Sequence, residues 1–315
     1  MTILFYCNWN NKDEWLKKIK KKFKNEKIFT LKDKPDLSKI KIAIIWNLPD
    51  EVYQKLNNLK LLFSLGAGVD HILHLPSYNQ VPIIRLKDEF MAERMSNHVL
   101  SQILQYQLNL KNHMKNQLNR KWMGEDSKTF QETSLNSNLT IGILGCGYLG
   151  TYLGKTLKKL GYNVIGFKNS KPAKKFQFQV FYQKKDLIKF IKNSDIIVAL
   201  LPSTFKTFNF INNKFLNVMK KQSLLINVGR GSTINEKDLI NHLKKNKLFY
   251  ASLDVFKNEP LSKKHPFWYL PNVTITPHIA SLTVVDSAVS YIYKKYQEFK
   301  KNNKFKSDVN LKRGY

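Results

Sequence analysis

The feature that most constrains this chain is Gly145-Cys146-Gly147-Tyr148-Leu149-Gly150, placed directly after the apolar run Leu139-Thr140-Ile141-Gly142-Ile143-Leu144. A continuous apolar run of that length fits a parallel strand buried on both faces. From Tyr148 to Leu160 the apolar residues recur at helical spacing, Gly161 stops them, and Tyr162–Phe167 reads as the next strand. In such a strand–turn–helix–strand unit the first glycine permits the tight turn. The second lets backbone amides approach a pyrophosphate, and the third lets helix and strand pack closely. The phosphates would sit at the helix N-terminus, where free N–H groups and the helix dipole favour an anion. Glycines so spaced also occur in ordinary turns, so the flanking elements carry the dinucleotide reading. Gly145, Gly147, Tyr148, Leu149 and Gly150 are its candidate contacts.

The kind of dinucleotide is read at the end of the second strand, where an NAD site carries an Asp or Glu for the ribose diol. Here no Asp or Glu occurs between Glu132 and Asp186, and the slot reads Phe167-Lys168-Asn169-Ser170-Lys171. With no carboxylate to repel a 2′-phosphate and two lysines beside it, NADPH is expected, with NADH as the weaker alternative. The missing acid weighs more than the lysines, which are abundant everywhere in this chain.

Three later segments each offer one polar group suited to redox chemistry on a small acid. They are Asn227-Val228-Gly229-Arg230-Gly231, then Asp254-Val255-Phe256 leading to Glu259-Pro260, and Thr276-Pro277-His278-Ile279-Ala280. An arginine holds a carboxylate with a two-pronged hydrogen bond. A histidine oriented by a glutamate moves a proton near neutral pH. Arg230 and His278 both follow strand-like runs, at the edge where doubly wound sheets bind ligands. The plainer readings are a structural ion pair for Arg230, a loop terminator for Glu259 and a structural imidazole for His278. His71, His98 and His265 are read as structural.

With these motifs, the chain resembles the D-isomer-specific 2-hydroxyacid dehydrogenases, most closely their glyoxylate/hydroxypyruvate reductase A branch. The resemblance also covers Phe63 to Ile72, Val81 to Leu86, Met91 with Glu93-Arg94-Met95-Ser96, Leu200-Leu201-Pro202, and His265-Pro266-Phe267-Trp268. It implies that Arg230 binds the substrate carboxylate and carbonyl, that His278 is the acid/base, and that Glu259 pairs with it. It further implies that the Ala67-Gly68 backbone holds the carboxylate, that Trp46 lines the pocket, and that Asp254 lies by the nicotinamide, with Leu201, Pro202 and Val228 as further cofactor contacts. The implied fold is α/β, with two doubly wound parallel-sheet domains and a cleft between them. A flavodoxin-like substrate domain would take residues 1–98 and 284–315, and a Rossmann coenzyme domain residues 99–283. A homodimer through the coenzyme domain is implied as well. Two positions depart from the family pattern: Asn97 stands where a glutamate often precedes the histidine, and Asn169 where NADP-using relatives often carry an arginine. The expected activity is reduction of small 2-oxo acids such as glyoxylate and hydroxypyruvate. A larger 2-oxo acid, or a catalytically idle NADPH-sensing protein on the same fold, stays open.

Composition narrows the remaining classes. At 315 residues the chain is comfortable for two cores. Cys7 and Cys146 stand far apart, which gives no disulfide framework or zinc spacing and points to a reducing compartment, the cytoplasm. Cys146 reads as a small filler more readily than as a redox sensor. The start, Met1 to Cys7, reads as a first strand, and no apolar run approaches the ~20 residues that span a membrane. The net charge of +30 raises the possibility of nucleic acid. Yet only Arg85, Arg94, Arg120, Arg230 and Arg313 are arginines, so 48 of the 53 basic residues are lysines, spread over the whole chain. That pattern fits a solvated surface with weak, salt-sensitive affinity for polyanions, and no specific nucleic-acid partner is expected.

Strand-like runs are expected at Ile3–Tyr6, Ile42–Trp46, Leu61–Leu65 and Val81–Leu86, and then at Leu139, Asn163, Asp195, Leu224, Tyr250 and Val273. Helices are expected over Asp13–Phe23, from Glu89 without a break to Gln117, and over Val284–Phe299. Gly124–Asn138 reads as a loop and the Lys/Asn-rich end from Lys300 as a mobile tail.

Overall fold

Alternating strand and helix patterns of this kind build parallel sheets, because each parallel connection needs a crossover that covers a sheet face. The computed structural model describes residues 1–122, 135–172, 175–246, 249–302, 307–311 and 313–315. Most of the loop expected over Gly124–Asn138, and residues 303–306 and 312 of the tail, lie outside the described residues; the tail expected to be mobile is instead docked where Asp308 N donates to Ile83 O at 2.9 Å and Val309 is buried against the first sheet. The chain divides into two compact units, Met1–Met91 with Thr283–Tyr315, and Ala92–Leu282.

In the first unit the strands are β1 (Thr2–Tyr6), β2 (Lys27–Phe29), β3 (Ile42–Ile45), β4 (Leu61–Ser64) and β5 (Ile83–Ile84). They pair in the order β2-β1-β3-β4-β5, all parallel, which is the flavodoxin-like order. The pleat sends Ile42 and Ile44 to one face and Ala43 and Ile45 to the other, and all four are fully buried. The first face packs on Trp15 and Ile19 of helix Lys12–Lys22 and on Val285, Ala288, Val289, Ile292, Tyr296 and Phe299 of helix Val285–Asn302. The second packs on Tyr53, Leu56 and Ile72. The chain therefore comes back to its first sheet only in its last long helix.

The second unit carries β6 (Thr140–Leu144), β7 (Asn163–Phe167), β8 (Gln179–Phe181), β9 (Ile196–Ala199), β10 (Ser223–Asn227), β11 (Phe249–Leu253) and β12 (Val273–Ile275). Their order is β12-β11-β10-β9-β6-β7-β8, again all parallel. Sequence order reverses between β6 and β9, so the switch point lies beside the strand that leads into the glycine fingerprint. Ile141, Ile143, Ile196, Val198, Leu224 and Ile226 face Leu153 and Leu157 of helix Tyr148–Lys159 and Met95, Val99 and Ile103 of helix Glu89–Gln107. Leu144, Ile197, Ala199, Leu225 and Leu253 fill the opposite face.

Three expectations are corrected. Val81–Leu86 gives only the two-residue β5, since Pro82 has no N–H to donate to a ladder and serves as an acceptor from Leu62 N at 2.9 Å. The edge strands β2 and β8 went unread because each is three residues of partly exposed, Lys- or Gln-bearing chain. The helix expected from Glu89 to Gln117 is two helices, Glu89–Gln107 and Leu110–Leu118. Asn109 breaks it at φ 51°, ψ 31°, in the left-handed region that asparagine tolerates better than most residues. Its carbonyl then accepts Asn112 N at 3.0 Å, and its side-chain oxygen accepts Asn112 Nδ2 at 2.8 Å, so it opens the second helix. Asn109→Gly should hold the urea midpoint near wild type, whereas Asn109→Val should cost about 1–3 kcal/mol. Equal midpoints for the two variants would contradict this account of the break.

Candidate active site

Parallel strands bring every residue that follows them to one sheet edge. Gly145 follows β6, Lys168 follows β7, Leu200 to Pro202 follow β9, Val228 to Arg230 follow β10, Asp254 follows β11 and Thr276 to His278 follow β12. The second unit thus gathers its candidate cofactor and catalytic residues along one edge.

The fingerprint has the geometry of a phosphate turn. Gly145 sits at φ 113°, open only to glycine, and its N–H donates to Phe167 O at 2.9 Å. A Cβ on Gly150 would lie 2.2 Å from Gly145 O, so the helix is seated directly on the turn. At Gly147, by contrast, a Cβ would have no described atom within 4 Å. A packed turn with open space over its second glycine, at the first amides of the 12-residue helix Tyr148–Lys159, fits a dinucleotide pyrophosphate. Leu149, Leu201, Pro202 and Val228 are half-buried along the same edge, and Tyr148 is more exposed. Cys146 lies beneath, with its sulfur where a Cβ on Gly166 would come to 2.4 Å. Burial pushes its thiol up to about 12, against the smaller opposing charge of Lys168, so it is an inert filler.

Lys168 is half-buried, its ammonium 5.8 Å from the Phe176 ring, and its N–H donates to Phe181 O at 3.0 Å. Ser170 is half-buried, while Asn169 and Lys171 are exposed. Two cations and a hydroxyl with no carboxylate among them suit a 2′-phosphate better than a bare ribose diol.

Next along the edge comes the Arg230 loop. Asn227 is fully buried, and its side chain works in both directions. Its oxygen accepts Gly229 N and its Nδ2 donates to Arg230 O, each at 3.2 Å. Thr233 Oγ1 donates to the same Arg230 carbonyl at 2.6 Å. A Cβ on Gly231 would fall 1.9 Å from the Phe256 carbonyl carbon, so only glycine lets this loop close on the segment leading to Glu259.

Glu259 is held at both oxygens. Oε1 accepts Phe256 N at 2.9 Å, and Oε2 is 2.7 Å from His278 Nδ1. Burial alone would raise its carboxyl. The bonds from His278 and the Phe256 amide, with the charges of His278 and Arg230, outweigh burial and hold it below the ordinary glutamate value. A carboxylate can only accept, so it selects Nδ1–H and leaves Nε2 as the ring nitrogen that faces chemistry. The structure therefore brings Arg230, Glu259 and His278 into one electrostatic group, with the imidazole exposed.

His278 itself is at φ 55°, again left-handed. Asp254, expected beside the nicotinamide, is 1% exposed, and its two oxygens accept Thr276 Oγ1, Ile279 N and Ala280 N. In the sequence Asn227 and Thr276 were visible only as motif members, and Asp254 only as a residue expected by the nicotinamide. Their bonding roles depend on loops that meet across adjacent strands.

In the first unit, Ser64 Oγ donates to Gly68 O at 2.8 Å and accepts Gly66 N at 3.3 Å, which curls the chain through Ala67. Trp46 is half-buried, 5.0 Å from the Trp9 ring and 4.2 Å from the His71 ring, and a Cβ on Gly66 would be 2.6 Å from it. It is partly core and partly a wall beside the Gly66–Gly68 turn. Trp268 is tied by its indole N–H to Ser262 O at 2.9 Å. His265 is structural, since Nδ1 accepts Phe267 N at 3.3 Å and Nε2 faces Glu236 at 3.5 Å.

Comparison with known proteins agrees with this geometry. A family model described as D-isomer specific 2-hydroxyacid dehydrogenase, NAD binding domain, matches residues 100–280. Glyoxylate/hydroxypyruvate reductase A of Serratia proteamaculans is 33% identical over 300 residues, 93% of each chain. Among solved structures, an NADPH-dependent glyoxylate/hydroxypyruvate reductase of Sinorhizobium meliloti in complex with NADP and sulfate superposes with a TM-score of 0.91 at 28% identity, covering 100% of this chain and 99% of that one. A probable 2-hydroxyacid dehydrogenase from Rhizobium etli, in complex with NADP, HEPES and L(+)-tartaric acid, gives a TM-score of 0.90 at 28% identity over the same shares. Matches of this length and specificity leave one assignment: the chain belongs to the D-isomer specific 2-hydroxyacid dehydrogenase family.

Proposed function

We propose that the chain is an NADPH-dependent reductase of small 2-oxo acids, with glyoxylate and hydroxypyruvate as first candidates. The observation that carries this reading is the 2.7 Å bond between His278 Nδ1 and Glu259, with Arg230 close enough to lower the Glu259 carboxyl. A reduced nicotinamide, when bound, supplies the hydride. Arg230 takes the substrate carboxylate in its planar fork and polarises the adjacent carbonyl. His278 hands a proton from Nε2 to the carbonyl oxygen, and Glu259 keeps the ring aimed throughout. The Ala67-Gly68 backbone is assigned a second hold on the carboxylate, with Trp46 as a pocket wall. The relatives that share the reductase A name, and the neighbours solved with NADP, support both substrate class and coenzyme.

The coenzyme assignment rests on Lys168, Ser170 and Lys171. NADPH should give at least ~10-fold higher kcat/KM than NADH, a gap of about 1.4 kcal/mol. Lys168→Asp should narrow it, and a wild-type preference for NADH would remove the phosphate site.

Proton delivery and the carboxylate clamp are tested together. His278→Ala should lower kcat by roughly 10²–10⁴ with NADPH affinity unchanged. Arg230→Lys keeps the charge, loses the fork, and should still cut kcat/KM for glyoxylate strongly. Because the Glu259 carboxyl is held below the ordinary value of 4.5, the acid-side decline of kcat should begin beneath that pH. Acetaldehyde should be a poor substrate, and equal rates for acetaldehyde and glyoxylate would defeat the clamp.

We further propose a homodimer formed through the Ala92–Leu282 unit. Supporting it is an exposed apolar row at i, i+4 spacing on helix Leu110–Leu118, namely Leu110, Met114 and Leu118, with Leu118 85% exposed. Sedimentation should give a dimer for wild type and a monomer for Met114→Asp. A monomeric wild type would sink the proposal.

A further inference from the structure

Trp46 stands half-buried just after β3, where an indole with nothing behind it would sample several rotamers. Its N–H extends the sheet by donating to Tyr6 O at 2.9 Å, and three neighbours then confine its ring. Gly66 admits the ring edge, since a Cβ there would lie 2.6 Å from Cζ3 and 3.0 Å from Cη2. The His71 ring, on helix Asp70–Leu73, is 4.2 Å away between centroids. The third neighbour is Trp9, 5.0 Å away with the ring planes at 42°. Gly66 and His71 belong to the segment after β4 that also carries Ala67 and Gly68, whereas Trp9 arrives from the loop after β1.

Trp9 is itself anchored. Its N–H donates to Cys7 Sγ at 3.4 Å, and its carbonyl accepts Lys12 N at 3.2 Å where helix Lys12–Lys22 begins. Its ring lies 5.8 Å from that of Trp15, which is 1% exposed in the core of the first sheet. Trp9, Trp46 and Ala67 all pack against that core. Trp15, Trp9, Trp46 and His71 thus form a row of rings from the core to the Gly66–Gly68 turn. Tilted rings at such separations attract one another beyond the area they bury. Strand order explains the row: β1, β3 and β4 are successive neighbours, so the loops after them meet at one edge in that order.

We propose that Trp9 is a positioning residue that sets substrate size. It backs Trp46 and holds the indole against Gly66, so the space beside the Ala67-Gly68 backbone stays too narrow for an aryl group on the 2-oxo acid. Trp9 acts only through Trp46 and touches neither substrate nor coenzyme. Removing its ring leaves a void behind Trp46 into which the indole can swing, because a packed site relaxes toward the atoms it has lost. The proposal rests on the reductase reading, in which Trp46 is a pocket wall and the substrates are small.

The test compares kcat/KM for phenylpyruvate with that for glyoxylate at saturating NADPH. Wild type should favour glyoxylate. Trp9→Ala should raise the phenylpyruvate-to-glyoxylate ratio roughly 10-fold, the scale on which one altered group in an apolar pocket shifts specificity. The gain should appear as a lower KM for phenylpyruvate, with KM for NADPH within about 3-fold of wild type. Trp9→Phe, which keeps a ring behind Trp46, should hold the wild-type ratio. Trp46→Ala should raise the ratio at least as far as Trp9→Ala. Adding Trp9→Ala to Trp46→Ala should change it no further, because the effect of Trp9 runs through Trp46.

A second readout needs no turnover. In protein carrying 5-fluorotryptophan, the ¹⁹F NMR line of Trp46 is assigned by its loss in Trp46→Phe. That line should be single and sharp in wild type and in Trp9→Phe, and should shift and broaden in Trp9→Ala as the ring takes new orientations. If Trp9→Ala does not fold, Trp9→Leu carries the same two tests. A ratio left unchanged by Trp9→Ala would overturn the proposal, including the case where both acids lose rate in equal measure. So would a wild type that already prefers phenylpyruvate, or a further rise when Trp9→Ala is added to Trp46→Ala. Wild type that turns over no 2-oxo acid would reject the reductase reading and the size limit with it, while a Trp46 line that still depends on Trp9 would leave the packing role intact.

Discussion

The coenzyme fingerprint and the loops bearing Arg230, Glu259 and His278 depend on strand direction in the second sheet. Because all seven strands run parallel, six of them deliver the residue that follows them to a single edge. The fingerprint turn, the lysines after β7 and the three loops bearing Arg230, Asp254 and His278 are therefore neighbours, although they span more than a hundred positions of chain. The core enforces this arrangement. Ile141, Ile143, Ile196, Val198, Leu224 and Ile226 form one packed face, and a register slip of one residue would exchange buried and opposite-facing positions along every strand.

At that edge the backbone is held in shapes that its own preferences resist. His278 is left-handed without being glycine, and Gly231 lies where any side chain would strike the Phe256 backbone. Both shapes are maintained by buried polar side chains at the ends of adjacent strands, Asn227 on the arginine side and Asp254 on the histidine side. Each uses its hydrogen-bonding atoms on the following loops, so the polar interior is satisfied as well as directive. The carboxylate that meets the imidazole is fixed in the same manner, since Glu259 spends one oxygen on the Phe256 amide and keeps the other for His278. Rigid support of this kind suits a proton transfer, which depends on reaching one nitrogen at one angle.

Much of this was legible in the residues. The glycine fingerprint announced its strand, turn and helix because those signals are local, and the arginine, glutamate and histidine stood out because each sits in a short segment after a strand. What stayed hidden depends on distance along the chain or on competition between weak local signals. Asp254 and Thr276 are 22 residues apart, and no pattern within either segment shows that they bond. The break at Asn109 was masked by the apolar spacing, which continues on both sides of it. The edge strand β8 did carry a signal, the Phe-Gln alternation from Phe176 to Gln179, but the strand itself is only three residues long. Trp46 was ambiguous in sequence and remains double-natured in space, packed on Trp9 and His71 yet partly accessible.

The central claim is that Arg230 and His278 act together on one 2-oxo acid, with Glu259 behind the imidazole. A crystal structure of the protein with NADP and oxamate, an unreactive mimic of a 2-oxo acid, tests it most directly. The account predicts the oxamate carboxylate in the fork of Arg230 and its carbonyl oxygen about 2.6–3.2 Å from His278 Nε2, with Nδ1 still bonded to Glu259. Oxamate bound away from Arg230, or an imidazole turned so that Nδ1 has left Glu259, would contradict it.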